Sequence, residues 1–149
     1  MAKGLIVKIK LNIEAPVKKV WEALISPELI KQYLFGTKVV SDWKVGSSIK
    51  YKGEWQGKSY EDKGTILKLV PEKIFQSTYW SSMGGLEDKP ENYATVTYEL
   101  KAKGKATELT LTQDNNPSEE SREHSEKNWQ MVLDTMKKLL EKSGKLGLF

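Results

Sequence analysis

A strand running almost directly into a proline-opened helix constrains this chain more than any other feature. Leu5, Val7, Ile9, Leu11 and Ile13 alternate with Lys8, Lys10 and Asn12, the period of a half-buried strand. Ala15-Pro16 ends that alternation. Val17, Val20, Trp21 and Leu24 then follow at the spacing of one helical face. A second short helix restarts at Ser26-Pro27-Glu28, with a capping hydroxyl, a proline and an acid in the order that helix N-termini favour. Two amphipathic elements joined this tightly must bury their apolar sides in a common core.

From residue 36 to residue 114 the pattern is one of strands. Asp42 to Ser48 reads as a turn, after which Ile49, Tyr51, Gly53 and Trp55 alternate with Lys50, Lys52 and Glu54. Gln56-Gly57 is a hairpin signal into a strand over Lys58–Leu69, and Pro71-Glu72 begins the next turn. The strand Ile74–Ser81 has two possible inward sets, Phe75 with Tyr79 or Ile74 with Trp80. Met83 to Glu91 is the longest expected loop. Ala94, Val96, Tyr98 and Leu100 share a face, and Gly104 turns the chain into a last strand over Thr107–Asp114.

Asn116-Pro117-Ser118-Glu119 predicts a helix start, with Asn116 as the cap. The helix should run to about Lys142, where Ser143-Gly144 ends it. Strand, two short helices, an antiparallel meander and one long C-terminal helix make an α+β arrangement. A curved antiparallel sheet is expected to pack on the last helix. The whole chain, 1–149, reads as a single domain. Residues 143–149 are either a flexible tail or a segment whose Leu146, Leu148 and Phe149 pack on a groove or a second subunit.

Several of these segments also match a known pattern. Ala15-Pro16, Val20-Trp21-Glu22-Ala23-Leu24 and Ser26-Pro27-Glu28 resemble the opening of the START-like superfamily (SRPBCC, birch-pollen-allergen-like). Within it the chain is most similar to the branch homologous to the C-terminal domain of activators of the ninety-kilodalton heat-shock chaperone's ATPase. Asp42-Trp43-Lys44-Val45-Gly46, Gly64-Thr65-Ile66-Leu67 with Pro71, and Trp129 with Leu133, Met136 and Leu140 fit that branch, although Asn128 replaces a family glycine. The resemblance implies a helix-grip fold, often with a cavity between sheet and long helix. It implies no single activity, since a shared fold hosts many functions.

Candidate functional residues lie on the faces that would meet in such a cavity. Tyr51, Trp55 and Tyr98 share inward sheet phases, with Tyr79 or Trp80 beside them; Trp80 is carried as the site candidate. Gln113 is in phase with Leu109 and Leu111. Amphipathic rings with a lone amide are both core material and the composition of a small-molecule pocket. On the last helix, Trp129, Val132, Leu133, Met136, Leu139 and Leu140 form an apolar stripe that gives way to Ser125, Arg122 and Ser121. Arg122 is either a cation at the pocket mouth, ready for an acidic ligand, or a surface partner of Glu119 or Glu126. The expected ligand-binding set is therefore Tyr51, Trp55, Trp80, Tyr98, Gln113, Arg122, Ser125 and Trp129.

Catalysis finds less support. The single histidine, His124, falls on the solvent side of its helix, and the chain has no cysteine. One histidine without thiolates builds no nitrogen- or sulfur-ligated metal site, so neither metal nor cofactor is expected. Glu54, Glu61 and Asp62 stay open as acid–base groups. The net charge of +4 is modest and dispersed, and Arg122 is the only arginine, which argues against nucleic acid as a partner. No apolar run approaches the roughly 20 residues of a membrane span.

The leading expectation is a cytoplasmic START-like protein, monomer or weak homodimer, holding a small hydrophobic or amphipathic molecule between sheet and last helix without chemistry of its own. A chaperone-activator-like protein interaction or stress-response role is the alternative, and a cyclase- or hydrolase-type enzyme the third.

Overall fold

The computed structural model describes residues 4–82 and 85–145. Strand β1 (Leu5–Ile13) leads into helices α1 (Val17–Ile25) and α2 (Pro27–Tyr33). Strands β2 (Lys38–Ser41), β3 (Ser48–Trp55), β4 (Lys58–Val70), β5 (Ile74–Ser81), β6 (Ala94–Lys103) and β7 (Ala106–Asn116) follow, and the long helix α3 (Glu119–Lys145) closes the chain. The strands form one seven-stranded antiparallel sheet in the order β1-β7-β6-β5-β4-β3-β2. Helix α3 lies across its inner face in a helix-grip arrangement, while α1 and α2 fill the remaining end. Among the described residues no helix is long and apolar enough to cross a membrane.

The opening block folds as its periodicity requires. Val7, Ile9 and Ile13 of β1 are buried, and α1 buries Val20, Trp21, Ala23 and Leu24. Ser26 caps α2 by accepting from the Leu29 amide, with Pro27 in the first turn. The Tyr33 hydroxyl donates to the Ala23 carbonyl at 2.7 Å, tying the two helices together. From α3 the stripe buries Val132, Leu133, Met136 and Leu140 in the core they share with Val7, Ile9 and Ile13 of β1 and Leu109 and Leu111 of β7. The end of α3 is pinned to the β1–α1 corner. Lys137 Nζ donates to the Asn12 carbonyl, and Glu141 accepts from the Glu14 amide at 2.8 Å.

Glycine at position 64 has a steric cause. A Cβ built there would lie 1.7 Å from the Thr78 carbonyl oxygen, so only glycine lets β4 approach β5 this closely. At Gly53 a Cβ would meet the Tyr60 hydroxyl at 2.6 Å, and the missing side chain gives that ring its place on the inner face.

Three local expectations are corrected. The cap of α3 is Ser118, whose Oγ accepts from the Ser121 amide. Asn116 instead ends β7, buried, with its amide donating to the Leu5 and Gln113 carbonyls. Strand bonding outcompeted capping there because β1 offered the amide a partner. The helix also continues to Lys145 through Ser143-Gly144. An isolated helical glycine costs only about 1 kcal/mol relative to alanine and does not by itself stop a helix. Finally, β5 turns Phe75, Ser77 and Tyr79 inward, which leaves Trp80 on the other face. The expected tail contacts of Leu146, Leu148 and Phe149 lie outside the described residues, as do Met83 and Gly84 of the expected loop.

Candidate functional site

On the inner face, large apolar side chains fill one end of the sheet and smaller or polar ones occupy the other. Ile49, Ile66 and Phe75 are buried core residues. Two strand positions along from each, on the same face, come Tyr51, Gly64 and Ser77, and further along Gly53, Asp62 and Tyr79. This change leaves a cavity of about 260 Å³ between strands β3–β6, the middle of α3 and the turn after α2.

Its walls come from separate elements. Tyr51, Tyr60 and Asp62 line it from β3 and β4, Asp62 opposite Tyr51 across the strands. Ser77, Tyr79, Ser81, Val96 and Tyr98 form the floor on β5 and β6, and Trp129 of α3 forms the roof. Leu34, Phe35 and Thr37 close the side below α2, with Phe35 and Glu54 exposed at the outer end. The Thr37 and Tyr60 hydroxyls are hydrogen-bonded at 2.5 Å, joining the turn to β4.

The rings are packed against one another as well as around the space. Tyr98 meets Trp129 edge-on with centroids 6.0 Å apart and stacks on Phe75 at 6.0 Å. Tyr51 and Tyr79 are tilted at 6.2 Å. Such pairs contribute beyond the area they bury and hold the wall rigid. Trp129 is fixed further by its indole N–H, which donates to Gln113 Oε1 at 2.5 Å.

Besides the Thr37–Tyr60 hydroxyl pair, a phenol–carboxyl pair faces this space. The Tyr79 hydroxyl donates to Asp62 Oδ2 at 2.5 Å. Asp62 Oδ1 is cut off from solvent and has no hydrogen-bond partner among the described residues. Burial, followed by the nearby Asp62 carboxyl, pushes the Tyr51 and Tyr79 phenols well above their usual range. Burial does the same at Tyr98, helped by its tyrosine neighbours. All three rings therefore present O–H groups at neutral pH. Glu54 and Asp62 are the only charged residues lining the cavity; no lysine, arginine or histidine among the described residues does so.

Tyr51, Tyr98 and Trp129 of the expected set come together here. Gln113 stands one step behind, as the acceptor for Trp129. Trp80 is elsewhere. On the outer face its indole N–H donates to the Leu86 and Glu87 carbonyls, Tyr93 stacks on it at 6.4 Å, and Lys63 lies 5.6 Å above the ring. It holds the loop before β6. Arg122 is bound by Glu119 and Glu126 at 2.6 and 3.0 Å, and Ser125 donates to Asn116 Oδ1 at 2.9 Å; neither lines the cavity. His124 is exposed beside Asn128. The Trp55 side chain lies outside the described residues.

The sequence reading names no role for Tyr60, keeps Asp62 only as an open acid–base group, and has Tyr79 only as the alternative to Trp80. A signal for the first two was present. Counting back by twos from the buried Ile66 gives Gly64, Asp62 and Tyr60 on the inner face. The bulge between Ile66 and Lys68 hid it, because the alternation changes phase there.

An antiparallel sheet gripping a long C-terminal helix, with a cavity between them, defines a START-like protein. A family model described as activator of Hsp90 ATPase homolog 1-like protein matches residues 14–141, and the chain belongs to that family within the SRPBCC superfamily. The solution structure of ChR145 from Cytophaga hutchinsonii is 52% identical, covers 97% of this chain and 99% of that one, and superposes with a TM-score of 0.83. MLL2253 from Mesorhizobium loti is 21% identical over 93% of this chain and 98% of that one, with a TM-score of 0.75. CalU16 from Micromonospora echinospora is 24% identical over 88% and 73%, with a TM-score of 0.67. At those two identities the likeness is one of fold. A search of curated proteins found no match.

Proposed function

We propose that this protein binds a small, largely apolar molecule in the cavity between its sheet and α3. The carrying observation is the cavity itself, about 260 Å³ walled by Tyr51, Tyr60, Tyr79, Tyr98 and Trp129. Interiors pack at the density of organic crystals, and a space this large within one is uncommon unless it is used. The space holds at least a ligand of on the order of ten non-hydrogen atoms, such as a single ring with a short substituent. The family description names a chaperone activator, yet protein docking needs no hollow interior, and the open cavity favours the ligand reading. Isotope-labelled protein titrated with small aromatics, short lipids and polyketide-like fragments should show shifts clustered at Tyr51, Tyr98 and Trp129. The absence of such clustering across the panel would remove the proposal.

A second reading rests on the Tyr79–Asp62 pair. A carboxylate beside a phenol held protonated is the composition of an acid–base site, Asp62 accepting a proton and Tyr79 or Tyr51 donating a hydrogen bond to developing negative charge. Turnover of a cavity-sized enolisable ketone, measured as deuterium exchange at its α-carbon and lost in Asp62→Asn, would support it. Exchange equal to the buffer rate would reject it.

A further inference from the structure

The charge pattern of the cavity narrows the chemistry of its occupant. Among the described residues every charged side chain lining it is acidic, and the less exposed of them, the half-buried Asp62, keeps an oxygen without a partner. Arg122, the cation expected to receive an acid, is paired with two glutamates away from the cavity. A ligand carboxylate would enter beside Asp62 with no counter-charge, and an unpaired buried charge is strongly disfavoured. A protonated amine meets the opposite situation. Its N–H finds an acceptor in the Asp62 carboxylate, and the aromatic rings of Tyr51, Tyr79 and Trp129 around the space favour a cation. The Asp terminal torsion is broad and turns both oxygens as a unit, so the amine meets whichever oxygen Tyr79 does not hold.

The geometry points to a small organic amine as the ligand, a protonated N–H group carried on a single apolar ring or short chain, with Asp62 as its recognition residue. This rests on the reading that the cavity is a binding site. It goes beyond it by assigning the sign of the ligand's charge and the side chain that reads it.

The test uses three probes of one shape at neutral pH: 2-phenylethylamine, 2-phenylethanol and 3-phenylpropionate, titrated by calorimetry and by chemical shifts at Tyr98 and Trp129. The amine should bind about tenfold or more tighter than the alcohol, the advantage expected of a charge-assisted hydrogen bond, and the acid weakest of all. Asp62→Asn keeps the shape and removes the charge. It should lose about tenfold for the amine and leave the alcohol within about twofold, which also shows that the variant is folded. Equal binding of amine and acid, or an amine affinity unmoved by Asp62→Asn, overturns the assignment while alcohol binding leaves the cavity reading standing. No response to any of the three overturns both.

Discussion

The Tyr79–Asp62 hydrogen bond is the point at which stability and site chemistry meet, and a double-mutant cycle measures it. At 2.5 Å, between a phenol and a carboxylate, it falls in the range of charge-assisted O–H···O⁻ bonds. Bonds to charged groups contribute about 1.5–3 kcal/mol net, against about 1 kcal/mol for neutral pairs. The partnerless Oδ1 places Tyr79→Phe toward the upper figure, because Asp62 would then have no hydrogen bond to either oxygen. Asp62→Asn gives up the charge-assisted bond but also removes a poorly satisfied buried charge. The two effects oppose, and its stability should stay within about 1 kcal/mol of the parent. In that background Tyr79 donates to a neutral amide oxygen, so adding Tyr79→Phe should cost only about 1 kcal/mol. The coupling energy is the difference, about 1–2 kcal/mol. Urea unfolding followed by circular dichroism yields all four corners, provided the m-value stays constant. A Tyr79→Phe cost below about 0.5 kcal/mol, or one equal in both backgrounds, would refute the argument that Asp62 is a charged, under-satisfied wall of the cavity.

Three further outcomes follow from the same structure. Tyr33, Tyr51, Tyr79 and Tyr98 have folded pKa values raised above the ordinary phenol value, so their contribution is complete below about pH 10 and is lost as pH rises through the folded values. Stability should fall above about pH 10, by up to about 1.4 kcal/mol per pH unit for each, and phenolate absorbance at high pH should lag that of the unfolded chain; coincident titrations would contradict the burial. Gly64→Ala should destabilise by about 3 kcal/mol or more, because its Cβ lands on the Thr78 carbonyl; urea unfolding with a loss under about 1 kcal/mol would show that β4 and β5 do not approach as described. Gln113→Ala removes the acceptor of the Trp129 indole and should cost about 1–3 kcal/mol, with an upfield shift of that indole proton; an unmoved proton would mean the bond is absent in solution.

The fold was largely readable because its elements obey simple periods. Residues from Leu5 to Ile13 alternate, Trp129 to Leu140 keep one helical face, and no local preference contradicts either. The cavity was readable only in part. Tyr51, Tyr98 and Trp129 follow from phase counting alone. Tyr79 against Trp80 does not, since adjacent aromatics satisfy the pattern on either face and the choice is made by what β5 packs on. Asp62 depends on cross-strand register: it lies opposite Tyr51 on β3 and Ser81 on β5, which places it beside Tyr79. No spacing within β4 carries that information. Arg122 and Ser125 show the converse. Their helical phase pointed to the cavity's side of α3, but nearby glutamates and the buried Asn116 claimed them first.

The cavity exists because particular inward positions hold side chains too small to fill it, and that makes it open to a direct test. Ser77 is the clearest such position. It sits between Phe75 and Tyr79 on the inner face, is buried, and lines the cavity floor. Leucine there would extend into space already present. Each added buried methylene contributes about 0.8 kcal/mol, and shape mismatch in a rigid wall takes part of that back. Ser77→Leu should therefore gain about 1 kcal/mol in urea unfolding while losing affinity for every cavity-sized ligand, amine or alcohol alike. In a fully packed core the same change would overpack, with a loss of about 1–3 kcal/mol. A destabilised Ser77→Leu would thus argue that the space closes in solution. A stabilised variant that still binds 2-phenylethanol would place the binding site elsewhere. Stability gained as binding is lost is the result expected of a core whose small residues serve a ligand.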